Sequence, residues 1–250
     1  MKALITGASS GIGKDMARYL AKLNYDLIIV ARRKDRLEEL RSELKVNVRV
    51  IELDLIKEDN VYKLYELVKD EDIDLLINNA GFGLFGNTFE TDLNREIEMI
   101  NLNIKTVHIL TKLFLKDFIK KDKGRILNVG SSAGFLAGPK LNTYYATKNY
   151  VVKFTLALYE ELRHKKSNVH VSVLCPGPVK TEFNKVAGGH FNVEETQSYK
   201  VAKYAIDKCL KNKLIIIPGL SIKLALFFNR FLPYKLSMKL IYKIQDKKTR

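Results

Sequence analysis

The sequence predicts an α/β fold, a doubly wound parallel sheet of about seven strands with helices on both faces. Three observations carry that expectation. Short apolar runs alternate with longer segments of 3.6-residue periodicity, the pattern of strands joined by crossover helices. Several runs, Leu27-Ile28-Ile29-Val30 among them, are apolar throughout, as strands buried on both faces require. The 250 residues, 46% hydrophobic, suffice for one large core, and no repeat, low-complexity tract or Pro/Gly-rich linker divides them.

In chain order, strands are expected at 2–5, 26–30, 48–53, 73–77, 125–129, 169–174 and 214–217. Helices are expected at 12–23, 34–44, 57–69, 92–120, 142–165 and 195–211. A core of residues 2–218 is followed by an extension, 221–250. There Lys235, Lys239 and Lys243 recur at i, i+4, i+8 beside Leu236, Leu240, Ile241 and Ile244, which predicts an amphipathic helix. Such a helix can pack on its own domain, cover a substrate cleft, meet a second subunit or lie on an anionic membrane.

Charge sharpens the question of partners. The formal net charge is +15, and residues 201–250 hold twelve Lys/Arg against Asp207 and Asp246, so two thirds of the excess lies in the last fifth of the chain. A basic tail therefore needs explaining, while nucleic acid is not expected as a partner. The expected setting is cytoplasmic: no signal peptide precedes Lys2-Ala3-Leu4-Ile5, no apolar run approaches 18 residues, and Cys175 and Cys209 read as free thiols. Neither the cysteines nor the histidines have metal-ligand spacing.

The first strand runs into Gly7-Ala8-Ser9-Ser10-Gly11-Ile12-Gly13, where a helix begins. Glycines at such a turn let the backbone approach a pyrophosphate, and the helix N-terminus offers N–H groups and a positive dipole end. The second strand ends at Ala31-Arg32-Arg33, without the carboxylate that would bond a ribose 2′-hydroxyl. Two arginines suit a 2′-phosphate, hence NADP(H) over NAD(H). Asp54 and Leu55 follow the third strand, where a short polar side chain can meet an adenine. Asn78-Asn79-Ala80-Gly81 ends the fourth, where two amides can border a cofactor crevice.

The candidate chemistry sits at Tyr144-Tyr145-Ala146-Thr147-Lys148. Tyr144 and Lys148 share a helix face, and a cation about 4 Å from a phenol attracts its phenolate by about 4 kcal/mol, lowering the phenol pKa toward neutrality. Such a phenol can exchange a proton with a carbonyl or alcohol oxygen. Tyr145 lacks a lysine four residues on. A competing motif, G-x-S-x-G at Gly130–Gly134 with Ser132 as a hydrolase nucleophile, needs a helix starting at the serine, which Gly134, Gly138 and Pro139 oppose.

Taken together, TGASSGIG at 6–13, NNAG at 78–81, Asn101, Ser131, Tyr144 with Lys148, and Pro176-Gly177-Pro178-Val179 with Thr181 resemble the short-chain dehydrogenase/reductase family of the common 250-residue type, over residues 2–218. The resemblance implies a Rossmann fold, a nicotinamide cofactor and a catalytic set of Asn101, Ser131, Tyr144 and Lys148. In that set Ser131 stabilises the oxygen that Tyr144 protonates, Lys148 also holds the nicotinamide ribose, and Asn101 positions a water beside Lys148. It further implies cofactor contacts from Thr6, Gly7, Ser9, Ser10, Gly11, Ile12, Gly13, Asn78, Asn79, Ala80, Gly81, Pro176 and Gly177, with Val179 and Thr181 on the carboxamide. A homo-oligomer, dimer or tetramer, would pair through the helices at 92–120 and 142–165. The expected activity is hydride transfer between NADP(H) and a small-molecule carbonyl or secondary alcohol; Phe82, Phe85, Phe135, Phe183 and Phe191 point to an apolar one, and residues 182–199 to its lid. The alternative is a non-catalytic NADP(H)-binding sensor or nucleic-acid-binding protein on the same fold.

Overall fold

The computed structural model describes residues 1–188 and 195–246. Seven strands form one parallel sheet: β1 Lys2–Thr6, β2 Asp26–Ala31, β3 Val48–Glu52, β4 Leu75–Asn78, β5 Gly124–Val129, β6 Val169–Leu174, and β9 Ile215–Ile216 at the edge. Their order is β3-β2-β1-β4-β5-β6-β9. The chain thus winds outward in one direction, returns to the centre and winds outward in the other. The carboxyl ends of β1 and β4 flank the reversal, where such folds form a crevice.

Alternation along each strand feeds two helical layers. Ala3, Ile5, Leu27 and Ile29 point into one core with Met16 and Leu20 of α1 (Gly11–Lys22), Leu37 and Leu40 of α2 (Lys34–Glu43), and Val201 and Ala205 of α8 (Ser198–Leu210). Leu4, Ile28 and Val30 point the other way. They meet Val61 and Leu64 of α3 (Glu58–Val68), Phe114 and Phe118 of α5 (Val107–Lys121), and Leu158 and Leu162 of α6 (Asn142–His164). Burial on both faces is why these strands read as unbroken apolar runs.

Three elements depart from the periodicity. The expected helix at 92–120 is α4 (Leu93–Ile100) continuing into α5 through a π-helical turn, Asn101–Thr106. The extra residue there shifts which side chains face inward, and such turns collect at functional sites. Residues 179–180 and 196–197 pair as a second small sheet, β7 with β8, bracketing a short helix α7, Phe183–Ala187. The extension is two helices, α9 (Leu220–Asn229) and α10 (Tyr234–Asp246), because Pro233 cannot donate the backbone bond that would continue α9. Phe191 and residues 247–250, parts of the expected lid and tail, lie outside the described residues.

Between β4, β5 and α6 runs a wholly buried polar chain. Asn78 donates through Nδ2 to Asn128 Oδ1 (2.9 Å) and Thr111 Oγ1 (3.1 Å), and Asn128 Nδ2 donates to Thr155 Oγ1 (3.0 Å). A buried donor deprived of its partner loses about 1–3 kcal/mol. Asn128→Ala leaves one of the two Asn78 amide hydrogens without its acceptor, so it should destabilise the fold by roughly 2–4 kcal/mol, measured by urea denaturation, since the substitution also leaves a cavity.

Candidate active site

At the carboxyl edge of the sheet a cleft of about 400 Å³ opens between the glycine turn and the start of α6. Its floor is built by a clasp. Thr6 Oγ1 accepts from the backbone N–H groups of Asn79 and Ala80 (both 3.0 Å), and Asn79 Nδ2 donates to the carbonyls of Thr6 (2.9 Å) and Gly7 (3.1 Å). The clasp draws two loops together so closely that side chains are excluded. A Cβ at Gly13 would lie 2.4 Å from Asn79 Nδ2, and one at Gly7, whose φ is +67°, would lie 2.8 Å from Ala80 Cα. Gly7, Ser9, Ser10, Gly11 and Ile12 line the cleft, with the α1 N-terminus opening into it and no side chain of Ser10 capping it. This cradle fits the pyrophosphate of a dinucleotide.

The adenosine end is basic but already occupied by an acid. Arg33 donates to Ser9 Oγ (3.1 Å) and Ser10 Oγ (3.0 Å) and pairs with Glu182 (2.8 Å), which also pairs with Arg36 (2.5 Å). Arg36 first and Arg33 second hold the Glu182 carboxyl down to about 2. Arg32 is exposed, lines the same cleft and has no partner among the described residues. Asp54 and Leu55 line the adjoining wall.

The far end gathers Ser131, Tyr144 and Lys148, with Pro176, Gly177, Val179 and Thr181 opposite. Ser131 follows β5 and caps a 3₁₀ turn, Ser132–Phe135, by accepting from Ala133 N–H (3.1 Å). That turn, and the absence of any histidine from the cleft among the described residues, leave Ser132 without the surroundings of a hydrolase nucleophile.

Lys148 is buried and donates to the Val129 carbonyl at 2.8 Å. Its ammonium lies 5.8 Å from the centroid of the Tyr144 ring. The expected lowering of the Tyr144 pKa is not found: desolvation raises it, and the hydrogen bond with Ser131 offsets only part. Burial also pulls Lys148 down from the usual 10.5 to about 8.

The structure redistributes four expected residues. Thr6 and Gly13 build the clasp without lining the cleft, and Asn78 belongs to the buried polar chain. In place of Asn101, Asn103 lies at the site. It is fully buried, accepts from Phe82 N–H (3.1 Å), and donates to the Phe82 carbonyl (2.9 Å) and Thr147 Oγ1 (3.0 Å). A Cβ on Gly81 would lie 2.8 Å from Asn103 Oδ1 and 3.4 Å from Lys148 Nζ. Asn101 stands two residues earlier, on another side of the helix. A signal existed: Asn103, Val107, Leu110, Phe114 and Phe118 form one buried stripe at helical spacing, and Asn101 is off it. Glu182 carried no such signal.

Asn79, Ala80 and Gly81 line the cleft as expected, and so do Phe82 and Phe183, the latter 5.2 Å from the Tyr144 ring. Phe85 and Phe135 do not line it; Phe135 packs against the core around Val151 and Val152. Tyr145 also faces the cleft, its hydroxyl accepting from Gln245 Nε2 at 2.7 Å. Cys175 and Cys209 are free and buried.

Residues 1–191 match the family model described as short chain dehydrogenase. The chain is 35% identical over 192 residues to the very-long-chain 3-oxoacyl-CoA reductase of Homo sapiens, an alignment covering 74% of this chain and 61% of that protein. It is 39% identical over 192 residues to the NADP-dependent 3-hydroxy acid dehydrogenase of Schizosaccharomyces pombe, covering 73% of each. Among solved structures, a short-chain dehydrogenase from Sphingobium yanoikuyae in complex with NADPH superposes with a TM-score of 0.83 at 31% identity, covering 92% and 93% of the two chains. A bulky-bulky ketone specific alcohol dehydrogenase from Comamonas testosteroni superposes at 0.78 with 28% identity, covering 93% and 98%.

The depressed Lys148 fixes a pH signature. Below pH 8 the folded protein carries a buried charge that the unfolded chain carries in water; between 8 and 10.5 the folded form has lost that proton and the unfolded one has not, so stability rises with pH across that window. Lys148→Met removes the charge. Less about 1 kcal/mol for the orphaned Val129 carbonyl, it should be more stable than the native chain by about 2 kcal/mol at pH 7, and the gap should close or reverse by about pH 10 in urea titrations.

Proposed function

Because the chain belongs to the short-chain dehydrogenase family, we propose that it is an NADP(H)-dependent oxidoreductase that transfers a hydride between its cofactor and an apolar carbonyl compound or the corresponding secondary alcohol. The observation carrying this reading is the convergence of Ser131, Tyr144 and Lys148 on one cleft with the glycine turn and the α1 N-terminus. NADPH, when bound, supplies the hydride; everything else falls to the chain's own residues. The Tyr144 hydroxyl, its pKa raised by desolvation, is the group that gives the proton to the substrate oxygen when a carbonyl is reduced and takes it back when an alcohol is oxidised. The Ser131 hydroxyl stabilises the charge developing on the substrate oxygen. Lys148, charged below about pH 8, presents a cation to the cofactor ribose. Asn103 takes the positioning role expected of Asn101, tying the loop at Phe82 to Thr147 on the catalytic helix. Phe82, Phe183 and Val186 give the substrate end an apolar wall, and the ketone-reducing and 3-oxoacyl-reducing relatives are consistent with it.

The 192 matched residues cover 61% of the 3-oxoacyl-CoA reductase relative, so that protein's substrate does not transfer to this chain. An NADPH-oxidation screen across aldehydes, ketones, quinones and acyl carbonyls tests the activity directly. Tyr144→Phe should bind NADPH as the native chain does and lower kcat by on the order of 10²–10⁴. Tyr145→Phe should cost far less, and equal activity of the two would refute the assignment of the donor.

Cofactor choice rests on the arginines, tempered by Glu182. A charge-assisted bond from Arg32 or Arg33 to a 2′-phosphate contributes about 1.5–3 kcal/mol, so NADPH should bind about 10–150 times more tightly than NADH. Arg32→Ala should erase most of that preference. Glu182→Gln removes a carboxylate from the phosphate's partners and should tighten NADPH about tenfold while leaving NADH unchanged. Fluorescence titration of both cofactors reads all three proteins, and equal NADH and NADPH affinity in the native chain rejects the assignment.

A further inference from the structure

The two C-terminal helices turn their apolar side chains outward. None of the ten residues of α9 is buried, and Leu220 (70%), Phe228 (62%) and Phe231 (73%) are mostly exposed. Phe227, Phe228 and Phe231 cluster edge to face, with ring centroids 5.4–5.5 Å apart. Helix α10 touches the domain through Ser237, Ile241 and Gln245, one stripe at i, i+4, i+8. Two residues off that stripe, on the opposite side, runs the ridge Lys235, Lys239 and Lys243. It is flanked by Leu236, Leu240 and Ile244 on one side and by Tyr234, Met238 and Tyr242 on the other, all exposed. Of the apolar set Leu236, Leu240, Ile241 and Ile244, only Ile241 faces the domain.

Charge distinguishes what covers this surface. Residues 220–246 carry Lys223, Arg230, Lys235, Lys239 and Lys243 against a single acid, Asp246, which is bound to Lys140 at 2.6 Å. A symmetric contact with a second copy would set five cations against five. An anionic leaflet offers both an apolar layer and opposite charge. No helix among the described residues is long and apolar enough to cross a bilayer, so these helices would lie on it. We propose that α9 and α10 form a docking surface for an anionic lipid bilayer, with the aromatic cluster entering the headgroup–acyl boundary and the lysine ridge meeting lipid phosphates.

The placement gives docking a consequence. Ile222 of α9 packs against Gly177, where an added Cβ would lie 2.9 Å from its Cδ1, and Gln245 of α10 holds Tyr145; Gly177 and Tyr145 both line the cleft. The bilayer therefore meets the rim of the cleft, and an apolar carbonyl compound dissolved in lipid enters without crossing bulk water. This second step rests on the carbonyl-reductase reading above; vesicle binding does not.

The test is co-sedimentation of the full chain with vesicles of phosphatidylcholine containing about 30% phosphatidylglycerol, and with phosphatidylcholine alone, at about 0.05 and 0.5 M NaCl. Binding is expected to the anionic vesicles at low salt, falling at least about tenfold on neutral vesicles or at high salt. The Lys235→Gln, Lys239→Gln, Lys243→Gln variant and the Phe228→Ser, Phe231→Ser variant should each lose it, with unchanged oligomeric state by sedimentation velocity. No binding at low salt overturns the proposal, and so does dissociation of a native oligomer by the phenylalanine substitutions, which assigns the face to a second copy. Both variants should reduce a short water-soluble ketone at the native rate and a long-chain ketone embedded in anionic vesicles more slowly. Equal rates on the embedded ketone overturn the lipid route. Absence of turnover on both ketones by the native chain rejects the carbonyl-reductase reading and the lipid route with it, and leaves the docking result standing.

Discussion

Four hydrogen bonds between the ends of β1 and β4 decide how close the glycine turn comes to the loop after β4. Thr6 offers its hydroxyl oxygen to two backbone N–H groups while Asn79 returns its amide to two carbonyls. At that separation there is no room for a Cβ on Gly7 or Gly13, and the turn must therefore be glycine-rich whatever binds there. Because the clasp sits at the reversal of strand order, the crevice, the exposed helix N-terminus and the wall that continues through Gly81 and Phe82 all inherit their positions from it. The motif that reads as cofactor-contacting is in part internal scaffolding.

The opposite wall depends on a lysine held out of water. Lys148 reaches β5 through the Val129 carbonyl, beside Gly81 and Asn103, and its burial lowers its affinity for a proton. The same dry surroundings raise the Tyr144 pKa. Helical spacing guarantees that the two side chains share a face, but the ammonium is directed to the strand end, where it donates to the Val129 carbonyl. Desolvation here outweighs the attraction computed from spacing, and it leaves a protonated phenol suited to giving a proton.

Glu182 alters the cofactor argument in the same way. Two arginines after β2 look like a free phosphate site, yet a carboxylate from the start of α7, some 150 residues later, already pairs with Arg33 and Arg36. One carboxylate thus answers two of the three arginines there while Arg32 is unpaired among the described residues, and any 2′-phosphate selectivity is a competition with that carboxylate.

By itself the sequence determined the fold class, the order and approximate limits of the sheet strands, the glycine turn, and Ser131, Tyr144 and Lys148, because periodicity, turn chemistry and i,i+4 spacing are local. Asn103 was also legible, since it lies on the buried stripe with Val107, Leu110 and Phe114, but the π turn there disturbs the count that would single it out over Asn101. Only the tertiary structure decided that Thr6, Gly13 and Asn78 hold the frame, that Glu182 answers the arginines, that Tyr144 and Lys148 titrate by desolvation, and that the tail turns its apolar side outward. Each of those depends on which distant segment packs against a residue and how much water it excludes. Neither quantity is encoded in any neighbouring stretch of chain.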